Sequence, residues 1–96
     1  MDVFWTKFAL ADLDQIQDFI AQDSPISAYR LAVDIVERTD RLLAENPFAG
    51  RQGRVPETRE LVLSRSSYIM VYRVSHRVEI LAVVHGARTW PDEFKT

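Results

Sequence analysis

The amino-acid sequence predicts an α+β domain in the order β-α-α-β-β-β, a helical hairpin packed on a mainly antiparallel sheet. Three observations lead there. Apolar residues between Ala9 and Leu43 recur at helical spacing. Between Thr58 and His85, three runs rich in β-branched and aromatic residues are separated only by short polar turns. The 96 residues suffice for one hydrophobic core and not for two, so residues 1–96 form a single domain.

The elements follow in order. Val3, Phe4 and Trp5 make a short apolar start suited to an edge strand. Ala9, Leu13, Ile16 and Ile20 then fall on one helix face, with Asp12, Asp14 and Asp18 expected toward water. Ser24 before Pro25 marks a second helix: a serine hydroxyl accepts an orphan amide, and proline is tolerated at the first helical position. The stripe Ala28, Leu31, Ala32, Ile35, Val36, Leu42 and Leu43 is broad enough to touch both the first helix and a sheet. Pro47 disfavours helix in the residue before it, so this helix ends near Asn46. Two glycines and two prolines between Pro47 and Pro56 predict a loop over 48–56. Thr58 to Leu63, Ser67 to Val74 and Arg77 to His85 are the predicted meander, with turns at Ser64-Arg65-Ser66 and Ser75-His76. Alternation places Tyr68, Met70 and Tyr72 on one face of its middle strand and Ile69, Val71 and Arg73 on the other.

Composition excludes several functions. With no cysteine there is no disulfide, thiolate metal site or cysteine nucleophile, and two histidines cannot build a zinc site unaided. No cofactor or metal is expected. Met1 to Phe8 lacks the pattern of a secretory signal, and the longest apolar run, Ile80 to Val84, is far short of the roughly 20 residues a membrane helix needs. The expected location is the cytoplasm, with no membrane partner. Net charge is −2, but residues 1–48 carry 4 basic and 9 acidic side chains whereas 49–96 carry 8 and 5. Seven of those eight are arginines, whose planar fork suits phosphate and carboxylate. A solvated strand surface is the plainer reading of the same residues; an anionic partner is the functional one.

The chain resembles the RelE/ParE toxin superfamily over nearly its whole length, and is closer to ParE. The likeness rests on the order and spacing of five segments. These are Ala9-x-x-Asp12-Leu13-x-x-Ile16, Asn46-Pro47-x-x-Gly50-Arg51, Thr58-Arg59-Glu60-Leu61, Tyr68-Ile69-Met70-Val71-Tyr72-Arg73-Val74, and Ile80-Leu81-x-Val83-Val84-His85-Gly86-Ala87-Arg88-x-Trp90-Pro91. The resemblance implies the toxin of a type II toxin–antitoxin (plasmid stabilisation) system, which arrests growth unless a cognate antitoxin holds it in a hetero-oligomer. It also implies one of two targets, DNA gyrase or the ribosome with its messenger RNA.

RNA cleavage through the 2′-hydroxyl needs an acid, a base and cations for the phosphorane charge. The candidate catalytic set under that reading is His85, Arg59, Glu60 and Arg88. Ile69 stands where RelE-like nucleases carry a basic residue, and His85 is followed by Gly86 where another nuclease subgroup has a tyrosine. Both departures favour gyrase, for which Arg51, Arg54, Arg73, Arg88 and Trp90 are the candidate target-binding residues. Plainer roles stand beside these. His85 can be a hydrogen-bonded strand-end residue, Trp90 an apolar cap on the core, and Tyr68 and Tyr72 sheet packing. Arg59 and Glu60, as neighbours in a strand, point to opposite faces, so Glu60 is expected to meet a cross-strand arginine instead. A non-toxic antitoxin-binding module is the third reading.

Overall fold

The computed structural model describes residues 1–86. Strand β1 (Val3–Trp5) leads into helices α1 (Lys7–Ala21) and α2 (Pro25–Glu45), followed by strands β2 (Arg51–Gln52), β3 (Arg59–Val62), β4 (Tyr68–Val74) and β5 (Val78–His85). The sheet order is β1-β5-β4-β3-β2. Every pairing is antiparallel except that of edge strand β1 with β5. The α+β fold and its helical hairpin stand as expected.

Local chemistry explains the helix starts. The Thr6 hydroxyl accepts the Ala9 N–H at 3.2 Å and donates to the Ile80 carbonyl at 2.7 Å, so one side chain caps α1 and fastens its start to β5. With that cap, α1 begins at Lys7 rather than at Ala9. Ser24 caps α2 by accepting the Ser27 N–H at 3.2 Å, with Pro25 at the first helical position.

Both helices cover one face of the sheet. Ala9, Leu13, Ala32, Ile35 and Leu43 meet Leu61, Leu63, Met70, Tyr72, Val78, Ile80 and Val83 in one core. Ile35, Leu43, Leu63, Met70, Tyr72 and Ile80 are fully buried, each contributing about 1.5–3 kcal/mol of apolar transfer. On the other face Ile69, Val71 and Ala82 form a smaller buried cluster with Val84 against it.

Two expectations are corrected. Asp12 does not turn to water: its Oδ2 accepts the Val83 N–H at 3.0 Å. The reason is topological, since β1 stops pairing with β5 at Ile80 and leaves the outward N–H of Val83 in need of an acceptor. The stretch 48–56 is not loop throughout, because Arg51 and Gln52 pair with Glu60 and Arg59. A third feature lies in β5. Val71 pairs with Ala82 but Tyr72 with Ile80, so Leu81 is an extra residue, a β-bulge. The bulge reverses the alternation: Val78 and Ile80 face the helices before it, Val83 after it.

Candidate functional site

Three clusters of polar residues stand out. The first lies at the end of the sheet nearest the segment after α2, on the helix side. Tyr72 is fully buried, yet its hydroxyl donates to the Pro47 carbonyl at 2.8 Å and accepts the Gly50 N–H at 2.8 Å. Burial raises the phenol above its ordinary range, and the Gly50 N–H offsets this only in part, so the ring keeps the proton it donates. Arg59, beside Tyr72 across the strands, donates to the Gly50 carbonyl at 2.8 Å and stacks over the Phe48 ring at 4.9 Å. A Cβ on Gly50 would sit 2.7 Å from the Tyr72 ring and 2.9 Å from the Glu60 carbonyl oxygen, so close approach requires glycine here. The Asn46-Pro47-x-x-Gly50-Arg51 segment is thus held by Tyr72 and Arg59, which makes Arg59 a loop anchor.

The second cluster lies on the opposite face. Glu60 is 3 % exposed and stands directly across from Arg51 on β2. Its Oε1 accepts Arg51 Nη2 at 2.9 Å and Nε at 3.2 Å; its Oε2 accepts the Arg54 backbone N–H at 3.1 Å and Nε at 3.2 Å. Burial alone would raise this carboxyl. The bonds from the Arg54 backbone and from the Arg51 and Arg54 guanidinium groups outweigh it and hold the group below the usual glutamate value. The expected cross-strand arginine is therefore present, and Glu60 is an ionised clamp.

The third cluster repeats the second at the far side of the same face. Glu79 accepts Arg73 Nε at 2.6 Å and Arg77 Nη2 at 3.2 Å, and Arg77 lies 4.0 Å over the Phe4 ring. The Arg73 bond, against some burial and with help from Arg77, also holds Glu79 below the usual range.

The predicted target-binding residues Arg51, Arg54 and Arg73 are therefore brought to one face. Arg77, which sequence reasoning left aside, joins them; its alternation with Val78 was the available signal. Arg88 and Trp90 lie outside the described residues. Of the predicted catalytic residues, the three that are described, His85, Arg59 and Glu60, are not brought together. His85 pairs with Tyr68 and meets its ring edge to face at 5.3 Å, whereas Arg59 pairs with Tyr72. Four residues of β4 separate these rows, about 13 Å at roughly 3.3 Å per residue. Glu60 is on the other face. Among the described residues no group of three histidine or acidic side chains could hold a metal ion, and no helix is long and apolar enough to cross a membrane.

Against known proteins, residues 3–90 match the family model described as the ParE toxin of the type II toxin–antitoxin system, parDE. The chain belongs to the ParE toxin family. Its relatives agree. The candidate toxin Y4kP of Sinorhizobium fredii (strain NBRC 101917 / NGR234) is 47 % identical over 87 residues, spanning 91 % of this chain and 90 % of that protein. Toxin RelE2 of Caulobacter vibrioides is 41 % identical over 86 residues, spanning 90 % and 96 %. Among solved structures, a chromosomal ParDE toxin–antitoxin system from P. aeruginosa superposes with a TM-score of 0.78 at 35 % identity, covering 88 % of this chain and 95 % of that one. This ParE-family chain is accordingly a toxin of a type II system, and its ParE fold carries an arginine-rich face opposite the helices.

Proposed function

We propose that this toxin acts on DNA gyrase and so blocks DNA replication, and that a cognate antitoxin neutralises it in a toxin–antitoxin complex. One observation carries the choice of target. The acid, base and cation of an RNA-cleaving site must converge within hydrogen-bond reach of one ribose and phosphate. Here His85 and Arg59 stand about 13 Å apart along β4 at roughly 3.3 Å per residue, and Glu60 is on the opposite face. Glu60 is already bonded to Arg51 and Arg54, and Arg59 to the loop before β2. These residues are structural clamps, which suits a toxin that acts by binding.

The antitoxin reading draws on the P. aeruginosa relative, whose ParDE system unites toxin and antitoxin. A short neighbouring gene whose product co-purifies with this chain and restores growth is the expected finding. For the target, purified toxin is added to gyrase and relaxed plasmid while transcripts are sequenced after induction in cells. Gyrase inhibition predicts lost supercoiling with transcripts intact. Ribosome-dependent cuts abolished by His85→Ala, with supercoiling untouched, would replace it with the messenger-RNA endonuclease. Folded protein without growth arrest would leave the antitoxin-binding module.

A further inference from the structure

Among the described residues, the face opposite the helices holds two matching sets of arginines, Arg51 and Arg54 about Glu60, and Arg73 and Arg77 about Glu79. In each set a carboxylate grips the Nε edge of at least one guanidinium: Arg51 and Arg54 on Glu60, Arg73 on Glu79. Arg73 is held through Nε, which turns its terminal nitrogens away from Glu79, whereas Arg51 commits Nε and Nη2 to one oxygen of Glu60 and keeps Nη1 for an oxyanion. The gripped side chains still face solvent, at 57 % exposure for Arg51, 43 % for Arg54 and 56 % for Arg73. Their orientation is set before any ligand arrives, which lowers the ordering cost of binding.

The geometry points to this face as a binding surface for the phosphate backbone of duplex DNA. The two carboxylates lie two strands apart and two residues along, a diagonal of roughly 12 Å from strand and residue spacings. Duplex DNA carries about one phosphate charge per 1.7 Å of axis, so a footprint of that size meets several phosphates. An acidic amphipathic protein segment fits less well. It would need exposed apolar surface between the arginines, where Val71 and Ala82 are 1 % and 3 % exposed; the exposed apolar side chains of this face, Val62 and Phe4, lie outside the span between the two carboxylates. Charge without a greasy centre suits a backbone ligand. The choice of duplex DNA rests on the gyrase reading, since gyrase holds such a duplex; the toxin would engage gyrase with its DNA rather than the enzyme alone.

The test is fluorescence anisotropy of a labelled 30-base-pair duplex, as a probe of about that length, titrated with the full-length toxin at several salt concentrations. Binding is expected although the chain's net charge is −2. Arg51→Gln and Arg73→Gln should each weaken it several-fold and lower the slope of log affinity against log salt by about 0.9. Arg41→Gln, which removes one charge from the exposed side of α2, should leave it unchanged. No binding at low salt, equal weakening by Arg41→Gln, or capture of poly-glutamate but not of the duplex would each overturn the proposal. Lost duplex binding with gyrase inhibition intact sinks this inference alone. Duplex binding with supercoiling untouched sinks the gyrase reading alone.

Discussion

The two faces of the sheet are built from alternate residues of the same strands, yet they solve different problems. Toward the helices, Met70, Tyr72, Leu61 and Ile80 fill an interior where the backbone satisfies the Tyr72 hydroxyl, while the Thr39 hydroxyl of α2 is buried without a hydrogen-bond partner. Away from the helices, a thin apolar strip is bordered by arginines whose charges are half committed to Glu60 and Glu79. A close-packed interior tolerates little change of volume, whereas a pair that leaves its arginine in solvent, such as Arg73 with Glu79, contributes little stability. The difference separates what holds this fold from what it can offer a partner.

Substitutions that probe each face should differ accordingly. Met70→Ala removes a fully buried side chain and should cost about 2–5 kcal/mol, read as a shift in the midpoint of chemical unfolding. A smaller loss would mean the core is not shared between helices and sheet as described. Tyr72→Phe keeps the ring but strands the Gly50 N–H and the Pro47 carbonyl, and should cost about 1–3 kcal/mol. If it costs nothing, the segment before β2 is not held by that hydroxyl. Acid sharpens the contrast from the other side. Both clamp carboxylates titrate below the usual glutamate value of 4.5, so their contribution is full above that value. It is lost as pH falls through the lower, folded-state range. Denaturant midpoints should therefore be flat down to about pH 5 and fall below it, and Glu60→Gln should flatten that fall. The smallest effect belongs to Arg73→Gln, an exposed partner of Glu79, at under about 1 kcal/mol in the same melt.

Much of this contrast is legible in the sequence. Helical periodicity from Ala9, the Ser24-Pro25 start and the Tyr68 to Val74 alternation place the helices, the middle strand and its two faces within a residue or two. What escapes has a common cause, which is that it depends on partners distant in the chain. Asp12 reads as a solvent-facing acid until β1 is seen to stop short of Val83. Arg51 and Gln52 lack any strand pattern and become a strand only because β3 offers an edge. The bulge at Leu81 is invisible to a period-two reading, since Val78 to His85 is apolar through most of its length. At the candidate site, strand alternation gives Glu60 a cross-strand arginine, but not that the partner is Arg51 of β2, nor that Arg54, outside any strand, joins it. Nor does it give the role of Arg59, because the Gly50 carbonyl it holds is nine residues away.

Under the proposed function, stability resides on the helix-side face and action on the arginine face. The most direct test is the double variant Arg51→Gln, Arg73→Gln, compared with the unaltered chain for growth arrest after induction and for thermal unfolding of the purified toxin. The expected result is lost arrest with a melting temperature lowered by only a few degrees, about what a loss of 1 kcal/mol produces in a domain of this size. Full growth arrest by the folded double variant would contradict it.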